Sequence, residues 1–179
     1  MTPRFWSNGL VPMAEILQGL LPTLGHKQVS PNWLLSRDGD RLIYAMYQSH
    51  YSAPRYKLPR QRLFMGPGEK LVLLHVSGLG AFCWRKFIDH SGQTGINNAI
   101  FINQTTILSS ILILEAEQLA WGKWPQQRLY TYVNPKKIKS PNPGYCYKKA
   151  GWSLCDKTKG GLLVLEKLPN CGNFGAMTP

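Results

Sequence analysis

The sequence predicts an α+β fold in which helices flank a mixed, mostly antiparallel β-sheet. Apolar runs of strand length follow one another at 69–76, 79–87 and 96–103, and the first two are joined by a tight turn, as in a hairpin. A long helical pattern at 105–124 then separates the third run from a short strand at 128–133. A strand–helix–strand unit of this kind needs a right-handed crossover, so these two strands are predicted to pair in parallel.

The segments before the sheet are predicted from prolines and capping residues. Residues 12–21 are predicted to be helical, because a proline stands at the first helical position and another follows the segment. Residues 38–51 fit a helix capped by Asp38 or Asp40, with apolar residues on one face. Alternation of the same residues would make a strand after an Asp-Gly turn, and we favour the helix.

The end of the chain is predicted to complete the sheet. The stretch NPGYCYKKAGW at 142–152 begins as a turn, continues as a short helix and stops at a glycine. Residues 153–168 follow as a hairpin, with a bend at Lys159-Gly160-Gly161. We therefore expect a single domain at 1–168 and a frayed tail at 169–179, which lacks periodicity.

Charge is the strongest signal in the composition. Lys plus Arg number 21 against 9 Asp plus Glu, a net charge of +12. Such an excess favours a polyanionic partner, either nucleic acid or a phosphate-rich cofactor, over a merely solubilising surface. One basic cluster lies in a proline- and glycine-rich arm at 52–68, and a second follows the strand at 128–133. The residues predicted to contact nucleic acid are Arg55, Lys57, Arg60, Arg62, Lys136, Lys137 and Lys139.

Several classes of protein are disfavoured. No apolar run reaches the roughly 18 residues that a membrane helix needs, and the first residues lack an apolar signal core. We therefore expect a soluble, cytoplasmic protein with no membrane partner. The four cysteines have neither C-x-x-C spacing nor an accompanying histidine pair, so reduced thiols and no metal site are expected.

A family resemblance enters at the short helix near the end of the chain. The residues YKKAGW at 147–152 resemble the YxKxGF-type signature of the GNAT (Gcn5-related N-acetyltransferase) fold, with Trp in place of Phe. Blocks such as HYS, GPGEKLVL and YTYVNPKK, within 49–168, also resemble an uncharacterised bacterial and phage group of GNAT-like proteins. The resemblance implies an N-acyltransferase that holds acetyl-coenzyme A, or another acyl-coenzyme A, where the two parallel strands splay apart.

The resemblance also places the cofactor. Its pyrophosphate is expected at the start of the helix after strand 96–103, where free backbone N–H groups favour anions. The expected contacts are Asn103, Gln104, Thr105, Thr106, Ser109 and Ser110 in the loop, and Asn142, Lys148 and Lys149 further along the chain. The loop contains neither glycine nor arginine, whereas the family normally has a basic, glycine-rich turn here. Alternatively, Ser109 or Ser110 only caps the helix.

Three residues are candidates for catalysis. Tyr147 matches the tyrosine that protonates the departing thiolate in the family, and a phenol stays protonated at neutral pH. His50 stands where an acceptor site begins and is the candidate base, with Glu69 as an acidic alternative. Each of the three also has an ordinary structural interpretation. The alternative function is a catalytically inactive GNAT-fold module that binds nucleic acid or a protein partner through its basic surface.

Overall fold

The computed structural model describes residues 25–53, 63–88 and 92–169. Three predicted features lie outside these ranges: the helix at 12–21, most of the basic arm and the tail after residue 169. The described elements, in chain order, are β1 (Lys27–Gln28), β2 (Trp33–Ser36), α1 (Arg41–Gln48), β3 (Glu69–His75), β4 (Gly80–Lys86), β5 (Ile96–Asn103), α2 (Ser109–Lys123), β6 (Leu129–Val133), α3 (Tyr145–Lys149), β7 (Ser153–Lys157) and β8 (Leu163–Lys167).

The eight strands form one sheet in the order β1-β2-β3-β4-β5-β6-β8-β7. Only β5 and β6 are parallel among the described strand pairs, so the predicted α+β class, with a mostly antiparallel sheet and one parallel pair, is confirmed. The predicted order lacked β1 and β2, which extend the sheet beyond β3 by pairing Leu34 with Leu74. Strands of two and four residues are too short to show alternation.

The helix predicted within 38–51 is confirmed as α1, and the structure decides between its two candidate caps. The Asp40 carboxylate accepts hydrogen bonds from the backbone N–H groups of Leu42 and Ile43, as an N-cap does. Asp38 instead accepts the backbone N–H groups of Phe64 and Met65, and so anchors the chain where it leaves the basic arm.

The sheet separates two apolar cores. On one face, Ile43 of α1 is fully buried against side chains of β3, β4 and β5. On the other face, α2 and α3 cover residues that include Trp33 and Trp84. The two buried indoles donate hydrogen bonds to the carbonyls of Leu112 and Ala116 in α2. These bonds fix α2 against the sheet while satisfying both indole N–H groups.

A β-bulge interrupts β5. Cys83 of β4 pairs with Ile100, but the next residue, Trp84, pairs with Asn98. Ala99 is therefore an extra residue in β5, and it is exposed between two buried neighbours. A bulge of this kind bends its strand and increases the local twist.

The bulge also reverses the faces of the strand and ends its parallel pairing. Ile96 packs in the core under α2, whereas Ile100 and the residues alternating with it pack under α1. Pairing between β5 and β6 covers only three residue pairs and stops at Asn98 opposite Thr131, although β5 continues to Asn103. The two parallel strands thus separate at their carboxyl ends, as expected for 96–103 and 128–133.

A buried carboxylate holds α3 in place. Glu117 of α2 is completely buried and accepts hydrogen bonds from the Trp152 indole and from Lys167 of β8, at 2.6 Å from the Lys167 Nζ atom. The same ammonium donates to the carbonyl of Ala150, which ends α3. Burial raises the pKa of Glu117, and this outweighs the opposing effect of its hydrogen bonds and of the Lys167 charge.

We expect Glu117→Ala to lower the free energy of unfolding by about 3–5 kcal/mol, because the buried indole N–H of Trp152 and the partly buried ammonium of Lys167 both lose their acceptor. Gln118→Ala, at an exposed position of the same helix, is the control and should stay within about 0.5 kcal/mol of the original protein. Urea unfolding measures both. Similar midpoints for the two variants would show that the buried ion pair contributes nothing.

Candidate functional site

A cleft of about 720 Å³ opens where β5 and β6 separate. Residues from both faces of the sheet line it. From the α1 side these include His50, Tyr51 and Arg85, and from the α2 side Ser109 and Tyr147. Its lining contains no aspartate or glutamate among the described residues, while Arg85 and Lys137 contribute positive charge. The described lining of the cleft therefore carries positive charge.

The Asn98 side chain organises the floor of the cleft. Its amide nitrogen donates to the carbonyls of Cys83 and Ile100 on either side of the bulge. Its amide oxygen accepts the hydroxyl of Tyr147, and the Thr131 hydroxyl donates to its backbone carbonyl. All these groups are buried, so the polar atoms exposed by the bulge satisfy one another.

Tyr147, the predicted general acid, is held tightly in this network. Its side chain is buried between Phe101 and Trp152, both in edge-on ring contacts, and it forms part of the cleft lining. Burial is the main cause that raises the pKa of Tyr147 well above its ordinary value. The hydroxyl thus keeps its proton at neutral pH, and that proton is donated to Asn98.

The two predicted bases lie in different places. His50 lines the cleft, with Nδ1 2.7 Å from the Ser52 hydroxyl and its ring 4.3 Å from that of Tyr51. Burial lowers the pKa of His50 below its ordinary 6.5, so the ring is neutral at physiological pH. Glu69 lies outside the cleft at the start of β3, where its carboxylate accepts the indole N–H of Trp124 at 2.9 Å.

The loop predicted to hold the pyrophosphate is arranged by Asn103. The Asn103 amide donates to the carbonyl of Ile107 and to the Ser109 hydroxyl, and its oxygen accepts the backbone N–H and hydroxyl of Thr105. The helical pattern is predicted to begin at residue 105, but these hydrogen bonds hold residues 105–107 in turns. The helix α2 therefore starts only at Ser109. The interpretation of Ser109 or Ser110 as a helix cap is wrong, because Leu108 takes that position.

The other predicted cofactor contacts divide in two groups. Asn103, Ser109 and Asn142 line the cleft. The remaining residues do not, and they are Gln104, Thr105, Thr106, Ser110, Lys148 and Lys149. Lys148 lies near the rim, because its ammonium donates to the side chain of Asn142 at 2.6 Å. The start of α2 has no side-chain cap and no acidic residue in its first turn. The N–H groups of Ile111 and Leu112 donate to the carbonyl of Leu108, so the uncapped donors of the first turn are those of Ser109 and Ser110.

The basic residues predicted to contact nucleic acid are only partly described. Arg55, Lys57, Arg60 and Arg62 lie outside the described residues. Lys136, Lys137 and Lys139 are exposed in the loop after β6, and Lys137 lines the cleft while donating to the carbonyl of Tyr51.

Several cleft residues are not predicted from the sequence, among them Arg85, Asn97 and Asn98. Arg85 lies within a predicted hairpin strand, and the two asparagines lie within the predicted strand 96–103. Their signals were a charged residue inside the apolar run AFCWRKF and paired asparagines inside INNAIFIN. Polar side chains within buried strands need hydrogen-bond partners, so a polar residue inside an apolar strand indicates a candidate site.

Comparisons with known proteins give no match: no protein-family model, no curated protein and no solved structure is similar to the chain. Within the described ranges, no helix has the length and apolar character needed to cross a membrane. The same part of the chain contains no cluster of three or more His, Cys, Asp or Glu residues suited to a metal ion. Cys83, Cys146 and Cys155 are free thiols, and Cys171 lies outside the described residues.

We expect Tyr147→Phe to lower the free energy of unfolding by about 1–3 kcal/mol, because the buried amide oxygen of Asn98 loses its hydrogen-bond donor. Tyr145→Phe on the same helix is the matched control, since that side chain is half exposed. Thermal and urea unfolding give the comparison. Equal stability of the two variants would mean that the bond to Asn98 contributes little.

Proposed function

We propose that the protein is an acyl-coenzyme A-dependent N-acyltransferase of the GNAT type. The observation that carries the proposal is the cleft between β5 and β6, whose parallel pairing stops after three residue pairs. Support also comes from the element order around it, in which a long helix joins the two parallel strands and a short helix precedes the closing hairpin. This is the arrangement that the sequence resemblance implies for an acyl-coenzyme A site.

The α2 side of the cleft suits the cofactor. Ser109 is both the first residue of α2 and part of the lining, so the uncapped N–H groups of the helix lie at the cleft. The helix dipole and these donors favour the pyrophosphate. No glycine permits a close approach here. Asn103 folds the preceding loop into turns and donates to the hydroxyl of Ser109, and these bonds leave the backbone N–H groups of Ser109 and Ser110 for the pyrophosphate.

The α1 side of the cleft suits the acceptor amine. Neutral His50 takes a proton from the amine as its nitrogen attacks the thioester carbonyl. The carbon–sulfur bond then breaks, and the thiolate must gain a proton. Tyr147 holds a proton near the point where the strands separate, but it has to turn away from Asn98 to deliver it. Positioning of thioester and amine in one cleft supplies the larger part of the rate.

Binding of acetyl-coenzyme A, measured by calorimetry, tests the cofactor site. We expect Ser109→Asp to weaken binding at least about 10-fold, because its charge repels the pyrophosphate at the helix start. The same charge should stabilise α2 by about 0.3–1 kcal/mol, so lost binding is not lost folding. Gln118→Asp adds the same charge at an exposed mid-helix position and should bind normally. If the unaltered protein does not bind acetyl-coenzyme A, the proposed function is wrong.

The pH dependence of turnover tests His50. Thiol release from acetyl-coenzyme A should rise with pH and level off, with its midpoint below 6.5, because His50 accepts a proton only when neutral and its pKa is lowered by burial. His50→Gln should abolish this acidic limb and reduce the plateau by about 10²–10⁴-fold. A profile unchanged in His50→Gln would assign the limb to another group.

One observation favours a second function. The hydroxyl of Tyr147 is already bound inside the protein, as a purely structural tyrosine would be. The exposed lysines beside the cleft are Lys136, Lys137, Lys139, Lys148 and Lys149. A non-enzymatic module would use this surface to bind nucleic acid or an acidic protein. This candidate takes precedence if acetyl-coenzyme A does not bind.

A further inference from the structure

Two polar atoms on the α1 side of the cleft lack a hydrogen-bond partner. They are the Oδ1 atom of Asn97 and the Nε atom of Arg85, both buried. Both residues line the cleft, and the Asn97 side chain is only 5% exposed. Leaving a buried donor or acceptor unsatisfied is costly, so such atoms call for a ligand or an ordered water.

The two atoms belong to neighbouring side chains on one face of the sheet. Arg85 of β4 is the direct register partner of Asn97 in β5. Trp84 packs under α2, so by alternation Arg85 and Asn97 face the α1 side, where His50 also lies. Side chains at directly opposed positions have Cβ atoms about 4.5–5.5 Å apart. One small molecule can therefore reach both.

The guanidinium group of Arg85 has aromatic and backbone neighbours but no ion-pair partner. It lies over the Phe87 ring, 5.3 Å from the ring centre, and its Nη1 atom lies next to Gly66, in the place that a Cβ atom there would take. Within the described ranges no carboxylate forms an ion pair with it. A guanidinium with an unsatisfied Nε donor fits a carboxylate, to which it can donate two parallel hydrogen bonds.

The neighbouring Asn97 atom adds a second requirement. An amide oxygen only accepts hydrogen bonds, so its partner must be an N–H or O–H donor. The ligand thus needs a carboxylate and a donor a few ångströms apart. A free α-amino acid has both groups at this spacing, with its amine as the donor.

We propose that the α1 side of the cleft binds a free amino acid, with its carboxylate on Arg85 and its amine on Asn97. The further assignment of this amino acid as the acyl acceptor rests on the proposed function. In that reaction a nitrogen–carbon bond forms to the acyl group and the carbon–sulfur bond breaks. His50 takes the amine proton, the thiolate gains one, and the products are an N-acyl amino acid and free coenzyme A.

Nuclear magnetic resonance of the full chain tests the binding site directly. The Arg Nε–H signals are recorded in ¹⁵N-labelled protein, and the Arg85 signal is assigned by its loss in Arg85→Lys. The probes are the protein amino acids, added one at a time at millimolar concentration, and then the primary amide of each one that binds. We expect a saturable shift of the Arg85 signal with at least one amino acid and at least about 10-fold weaker binding of its amide.

Two variants sharpen this result. Asn97→Leu removes the acceptor at similar size and should weaken amino-acid binding about 10-fold. Lys86→Gln removes a neighbouring positive charge that is exposed, and it should bind normally. If Asn97→Leu does not fold, the comparison of acid with amide in the unaltered protein decides alone.

Three outcomes would overturn the proposal: no amino acid shifts the Arg85 signal, the amide binds as tightly as the acid, or inorganic phosphate binds as tightly as either. The calorimetric titration with acetyl-coenzyme A stays independent of these. Amino-acid binding without acetyl-coenzyme A binding would retain the site and reject the acyltransferase. The converse result would retain the acyltransferase and reject an amino acid as its acceptor.

Discussion

At Asn98 the parallel pairing between β5 and β6 ends, and the Asn98 side-chain amide binds the backbone on either side of the β-bulge. The amide bridges the bulge by binding the carbonyls of Cys83 and Ile100, and it accepts the hydroxyl of Tyr147. The bulge bends β5, and β5 and β6 stop pairing at Asn98, so these buried hydrogen bonds lie where the cleft opens. The position of α3 depends on the same amide, since Tyr147 ties that helix to the strand.

The second constraint is that the described acidic side chains are engaged in hydrogen bonds within the protein. All seven described carboxylates accept hydrogen bonds inside the protein, and these are Asp38, Asp40, Glu69, Glu115, Glu117, Asp156 and Glu166. They cap a helix, anchor loops and bind indole or cationic groups. None of these carboxylates lines the cleft, and Lys plus Arg outnumber Asp plus Glu by 21 to 9 in the whole chain.

The cleft has two sides with different chemistry, because its lining residues come from both faces of the sheet. The α2 face offers backbone donors at a helix start, which suit phosphate groups. The α1 face offers His50, Arg85 and Asn97, which suit a small polar molecule with both charge and a donor. The opening between the strands is where groups held on opposite faces meet. Tyr147 lies at this point, and its hydroxyl donates to Asn98; the proposed proton transfer would require this bond to break.

The sequence alone determined the elements whose signals are local: the hairpin β3–β4, the strand–helix–strand unit, the short α3, the closing hairpin and a helical α1. Periodicity and capping are carried by neighbouring residues, so they can be read along the chain. Only the tertiary structure decided that β1 and β2 join the sheet and that Asn103 delays the start of α2. It also separated Glu69 from the cleft and brought Arg85 beside Asn97. These facts depend on register, on the bulge and on contacts between residues far apart in sequence, which no local pattern records.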